Sequence, residues 1–168
     1  MSAIDTDKGG LFFVDGPGGT GKTFLYRALF AKVHSENKLD VAIVTSGVAT
    51  SIMLGGRTAH SRFKIPLTIE DGGCCSFTKQ SGTAKLLRTT SLIILDEAII
   101  TKRQAVETLD KSLRDIMDQS ELPFGGKTIV FGGGSRAQIV DASLRRSYFW
   151  DSMQPLKLVR NMRAQSDP

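Results

Sequence analysis

Gly16 to Thr23 reads GPGGTGKT and fills the spacing GxxxxGK[ST]. Glycines at such positions let backbone amides turn inward around phosphate oxygens, and a helix beginning there adds its partial positive charge. Gly16, Gly18, Gly19, Thr20 and Gly21 would form the cradle, and Lys22 would reach the β and γ phosphates. The Thr23 hydroxyl would coordinate the Mg²⁺ that bridges them. A second stretch, SLIILDEAI at 91–99, ends an apolar run in Asp96 and Glu97. Taken alone, the acidic pair is a turn after a core strand. Downstream of a phosphate loop it is the second half of a nucleotide site, with Asp96 holding Mg²⁺ through water and Glu97 polarising the attacking water.

These residues need elements that place them. LFFVDGPGGTGKTFLYRALFAKV at 11–33 is a short apolar run, a glycine-rich turn and a segment with Phe24, Leu25, Ala28 and Leu29 at helical spacing, so strand, loop and helix are expected. VAIVTS (41–46), KTIVFGG (127–133) and LKLV (156–159) are expected as further strands. In ETLDKSLRDIMD (107–118), Leu109, Leu113, Ile116 and Met117 predict a helix packed by one face, with Lys111, Arg114 and Asp118 toward water. The polar stretch from Glu70 to Gly82 is expected as a surface loop. Right-handed crossovers between parallel strands then give an α/β fold, a P-loop NTPase built as a RecA-like three-layer α/β/α sandwich, with ligands at the strands' C-terminal ends.

Composition sets the frame. The chain has 168 residues, 40% of them hydrophobic, which fits one domain over residues 1–168 with a real core. Lysine and arginine number 22 against 17 acids, a formal charge of +5 that suits a polyanionic partner without requiring one. Cys74 and Cys75 are sequence neighbours, ill placed to bridge each other or to share a metal, and read as free thiols of a reducing compartment. No run is long and apolar enough for a membrane span, and MSAIDTDKGG lacks the apolar core of a signal peptide, so a cytoplasmic or nuclear address is expected.

The words between the two acidic and glycine motifs are more specific than either. FFVDGPGGTGKTFLYRAL (12–29), TSGVATS (45–51), GGRTAHSRFKIP (55–66), LIILDEA (92–98) and LVRNMRAQSDP (158–168) together resemble ATP-dependent DNA helicases of the Pif-one type, especially the versions in plants and Helitron transposons. The resemblance covers nearly the whole chain. It implies an ATP hydrolase with ATP and Mg²⁺ as cofactors, a 5′-to-3′ helicase type, and single-stranded DNA as a sequence-tolerant partner. It further implies nuclear or mitochondrial work in repair, recombination and telomere upkeep.

By that resemblance Thr45, Ser46, Arg57, Thr58, His60 and Phe63 lie along single-stranded DNA. Thr, Ser and Arg suit phosphate oxygens, and His60 and Phe63 suit stacking on bases. From the residues alone Phe63, beside Ile65 and Pro66, is equally a core aromatic, and His60 equally a structural hydrogen bonder. Arg163, in KLVRNMR, corresponds to the arginine that points to the γ phosphate, where a cation stabilises charge developing in transfer. From the residues alone Arg163 is equally one of several surface arginines near the C-terminus, with Arg145, Arg146 and Arg160, and Trp150 reads as a core or edge aromatic.

One stretch departs from the family wording. After a strand ending in two glycines, the family continues into an aspartate, two variable residues and a glutamine. Here Gly132 and Gly133 run straight into Gly134, Ser135 and Arg136. A second phosphate loop is disfavoured because no Lys-Ser or Lys-Thr follows, so the sensor motif is read as deleted. Gln138 belongs to the downstream wording and does not replace the sensor glutamine. The chain also ends at Pro168 where the family continues into a second RecA-like domain, so weak hydrolysis and little unwinding are expected. The rival expectation is a non-catalytic helicase paralogue acting as a protein-binding or nucleic-acid-binding module.

Overall fold

A computed structural model describes residues 9–16, 21–43, 77–96, 103–133 and 144–159. Five strands form one sheet: β1 (Gly10–Asp15), β2 (Leu39–Ile43), β3 (Thr90–Asp96), β4 (Thr128–Gly133) and β5 (Met153–Lys157). Among the described residues three α-helices accompany them: α1 (Lys22–Ser35), α2 (Gly82–Thr89) and α3 (Arg103–Met117). The strand order is β2-β3-β4-β1-β5, and every pairing is parallel. Parallel strands need covered faces, and the interior strands β1, β3 and β4 are accordingly apolar on both sides of the pleat.

The pleat sorts the side chains into two cores. Leu11, Phe13, Ile93, Leu95, Ile129 and Phe131 face one way, against Ala84 and Leu87 of α2 and Val106, Leu109 and Leu113 of α3. Val14, Leu92, Ile94 and Val130 face the other way, against Tyr26, Phe30 and Val33 of α1. Successive residues point to opposite faces of a strand, so one apolar run feeds two layers. The result is the expected three-layer sandwich.

Several expectations shift in detail. The stripe that α1 buries is Tyr26, Phe30 and Val33, spaced i, i+4 and i+7, whereas Phe24 is 73% exposed and Ala28 is also exposed. Leu25 and Leu29, at the helical spacing noted in the sequence, are partly buried and pack against the edge of the same cluster. The helix expected over 107–118 begins earlier, at Arg103. Lys111 and Asp118 are exposed as expected, but Arg114 is only partly exposed because its Nε donates to both carboxylate oxygens of buried Asp110.

β2 lies at Leu39–Ile43, so the strand starts before 41, while residues 44–46 lie outside the described residues. β5 lies at Met153–Lys157, earlier than the apolar LKLV at 156–159. Its only buried residue is Met153, and Pro155 stands opposite Phe13. A proline without an N–H is tolerated where, among the described residues, the strand pairs on one side only. Pairing continues one residue beyond the strand, since Leu158 N donates to Asp15 O at 2.7 Å. Of the surface loop expected over 70–82, residues 70–76 lie outside the described residues; its end is Ser81, whose hydroxyl accepts from Ala84 N and caps α2. Trp150 sits at the rim of the core, tilted against Phe13, with the Arg145 guanidinium over its ring. No described helix is long and apolar enough to cross a membrane.

Candidate nucleotide site

β1 ends at Asp15 and the chain leaves the sheet at Gly16, which is buried. It re-enters regular structure at Gly21, the N-cap of α1, with φ 85° and ψ 19°. That left-handed conformation carries no penalty for glycine and a real one for residues with a Cβ. Gly21 O then accepts from Leu25 N at 2.9 Å, closing the first helical turn. Among the described residues no side chain caps this end and the first turn holds no acid to offset the positive end of the helix dipole.

Lys22 is the first residue of α1, and its Nζ donates to the carbonyl of Gly16 across the loop. One side chain thus ties the helix end of the loop to its strand end. Thr23 follows and is exposed. An anion fits this setting: a cationic side chain, uncapped helix amides and a backbone turn made possible by glycine converge on one loop.

Asp96 is the last residue of β3, and its Cα is in register with Gly132 of β4, which is in turn in register with Val14 of β1. Asp15 is in register with Gly133. The acid-bearing strand and the loop-bearing strand therefore flank β4, two strand spacings or roughly 10 Å apart. At the tip of the intervening strand are two residues without side chains, so nothing from Gly132 or Gly133 fills the space above it. A crevice at the C-terminal ends of parallel strands is where such sheets place ligands.

The described residues thus bring together Gly16, Gly21, Lys22 and Thr23 on one loop, and put Asp96 at the tip of β3. Gly18, Gly19, Thr20, Glu97, Arg163, Thr45, Ser46, Arg57, Thr58, His60 and Phe63 lie outside the described residues. So does the proposed deletion point after Gly133. Phe24, noted in the sequence only for its helical spacing, stands exposed one residue beyond Thr23. Counting helical phase from Tyr26 and Phe30 would have found it.

With this geometry established, the chain's likenesses become informative. A family model described as PIF1-like helicase matches residues 1–168. The ATP-dependent DNA helicase PIF3 of Trypanosoma brucei brucei is 33% identical over 168 residues, an alignment covering 96% of this chain and 20% of that protein. The ATP-dependent DNA helicase Pif1 of Bdellovibrio bacteriovorus is 30% identical over 136 residues, covering 79% of this chain and 30% of that protein. The chain therefore spans less than a third of these relatives. Among solved structures, Pif1 of a Bacteroides species in complex with ADP-AlF4 is similar with a TM-score of 0.69 at 24% identity, covering 96% of this chain and 40% of that one. Bacteroides Pif1 bound to ssDNA gives 0.68 at 23% identity, covering 94% and 40%. At such identity the likeness establishes the fold, a P-loop NTPase of RecA-like architecture.

Proposed function

The chain belongs to the PIF1-like helicase family, and on that premise we propose that it binds Mg²⁺-ATP at the Gly16–Thr23 loop and couples that site to single-stranded DNA. The observation that carries the reading is Lys22, held across the loop to Gly16 by its own ammonium group two strands away from Asp96. Backbone amides of Gly16, Gly18, Gly19, Thr20 and Gly21 cradle the phosphates, and Lys22 moves from the Gly16 carbonyl to the β and γ phosphates. Thr23 and Asp96 hold Mg²⁺, which supplies charge neutralisation across those phosphates. Glu97 orients and deprotonates the attacking water, and Arg163 stabilises charge on the transferred group. Thr45, Ser46, Arg57, Thr58, His60 and Phe63 carry the DNA contact, which is weak, sequence-tolerant and salt-sensitive.

A specific feature favours a second reading. Gly132 and Gly133 pass into Gly134 and Ser135 without the aspartate and glutamine expected of the family's sensor, so hydrolysis is weakened and the fold serves as a binding module with ATP as structural support. Tested by themselves, these 168 residues hydrolyse slowly and do not unwind, because translocation requires two domains that open and close around ATP.

Phosphate release from ATP, with and without single-stranded DNA and with a Glu97→Gln control, separates the readings. DNA-stimulated release lost in the control supports a coupled ATPase. ATP binding without release, unchanged by the substitution, supports the binding module. Absence of both ATP binding and release overturns the proposal.

A further inference from the structure

The end of the sheet opposite the phosphate loop holds a cavity of about 380 Å³. It crosses the entrances of three adjacent strands, and each entrance contributes a cation: Lys38 before β2, Arg88 at the end of α2 before β3, and Lys127 before β4. Thr89, Thr90, Ser91 and Thr128 line it as well, the hydroxyls of Thr89 and Thr90 donating back to α2 carbonyls, and Met117 and Leu122 add apolar wall. Among the described residues no carboxylate lines it.

The three cations are compensated to different degrees. Lys38 pairs with Glu36 at 3.0 Å, although Glu36 is shared with Lys32. Arg88 donates from Nε to Ile116 O and lies within electrostatic reach of Asp118, itself bound to Lys79. Among the described residues Lys127 faces no acid. Its Nζ donates to the carbonyls of Arg88 at 2.6 Å and Thr90 at 2.7 Å, which accounts for two of its three N–H groups. Burial without a counter-charge pulls its ammonium group down to about 8. A second cavity, of about 220 Å³, shares Lys127, Gly9, Leu122 and Gly126 and extends the groove toward β1 and β5.

A half-buried cation with polar neighbours and no acid in the wall is a site short of an anion. We propose that this cleft is a second phosphate-binding site, remote from the nucleotide loop, with Lys127 as its central cation and Arg88 and Lys38 as flanking donors. The phosphate belongs either to a nucleic-acid backbone or to a free phosphorylated compound. The cavity volume admits a nucleotide-sized group, and the apolar wall suits an attached base or other flat group.

The test uses the full chain with Lys22→Ala, which removes the loop's lysine, and pyrophosphate as probe in titration calorimetry. Residual binding is expected, weakened roughly tenfold or more by Lys127→Met, as for the loss of a charge-assisted hydrogen bond, and largely retained by Lys127→Arg. A single-stranded oligonucleotide that displaces pyrophosphate identifies the nucleic-acid source; one that leaves it in place identifies the free compound. Because Lys127→Met also frees two carbonyls, its circular dichroism is checked; if it fails to fold, Arg88→Gln decides, with roughly tenfold weaker binding expected. No pyrophosphate binding in the Lys22→Ala chain, or binding indifferent to whichever of these substitutions decides, overturns the proposal.

Discussion

The Tyr148 hydroxyl donates to the carboxylate of Asp110, 38 residues earlier, and so pins the segment after β4 onto α3. Asp110 is fully buried and also accepts from Phe124 N at 2.5 Å and from Arg114 Nε. One carboxylate thereby joins α3, the short helical turn at Pro123–Gly126 and the stretch that carries Phe149 into the core. The Arg114 guanidinium also lies 5.7 Å from the Tyr148 ring centroid.

Asp110→Ala should cost about 3 kcal/mol, because it leaves Arg114 without its carboxylate and a buried amide unsatisfied. Tyr148→Phe should cost about 1 kcal/mol, since the ring keeps its packing. Urea unfolding of both and of the double variant checks this. Equal losses for the two single variants would contradict the role of Asp110 as a shared acceptor.

Gly125→Ala should destabilise by about 2 kcal/mol or more. Its φ is +61°, and a Cβ would stand 2.6 Å from Leu113 O and 2.8 Å from Met117. Gly82→Ala is the contrast, since at the start of α2 a Cβ meets nothing within 4 Å. That substitution should stabilise by a few tenths to about 1 kcal/mol. A thermal melt in which the two variants shift alike would refute the packing argument.

Lys22→Ala should abolish ATP binding while leaving the fold within about 1 kcal/mol, because its hydrogen bond to Gly16 O is only partly buried. Calorimetric titration with ATP alongside a urea curve gives both numbers. Undiminished affinity would move the nucleotide elsewhere.

Alkaline stability should rise and then fall. The folded chain holds the Lys127 ammonium near 8 against an ordinary 10.5, so above about pH 8 the unfolded chain binds the extra proton and raising the pH favours the fold. Tyr148 is shifted the other way, first by burial and then by donating to Asp110, so above its ordinary 10.0 the unfolded phenol ionises first and stability declines. Denaturation midpoints across this range should lose their rising limb in Lys127→Met and have a shallower falling limb in Tyr148→Phe. A rising limb that survives Lys127→Met would assign it to another group.

The sheet and the phosphate loop were legible because both are written locally. Leu92 to Leu95 are four consecutive apolar residues before an acid, and GPGGTGKT spans one loop. Strand order was not written there: nothing in KTIVFGG says that β4 lies between β1 and β3. Asp110 escaped notice because a buried acid at an amphipathic helix position looks like a solvated one until Tyr148, Arg114 and Phe124 are seen to converge on it. The helix of α1 was legible from its spacing, but its most deeply buried stripe was not, because Phe24, Leu25, Tyr26, Ala28, Leu29 and Phe30 offer two overlapping faces and it is the packed Val14, Leu92, Ile94 and Val130 surface that takes Tyr26 and Phe30. The cleft around Lys127 is assembled from three separate strand entrances and has no linear signature.

β1 is central in the sheet, yet its partners come late in the chain: Gly10 pairs with Thr128 and Leu11 with Met153. During synthesis the strand bearing the phosphate loop therefore leaves the ribosome long before either neighbour exists. Its apolar LFFV and both of its hydrogen-bonding edges wait exposed while β2 and β3, which pair with each other, are made. Such late closure makes folding slow and the nascent chain prone to sticking to others. The strand that leads into the Gly16–Thr23 segment is thus made before β4 and β5 and is among the last to gain both of its neighbours.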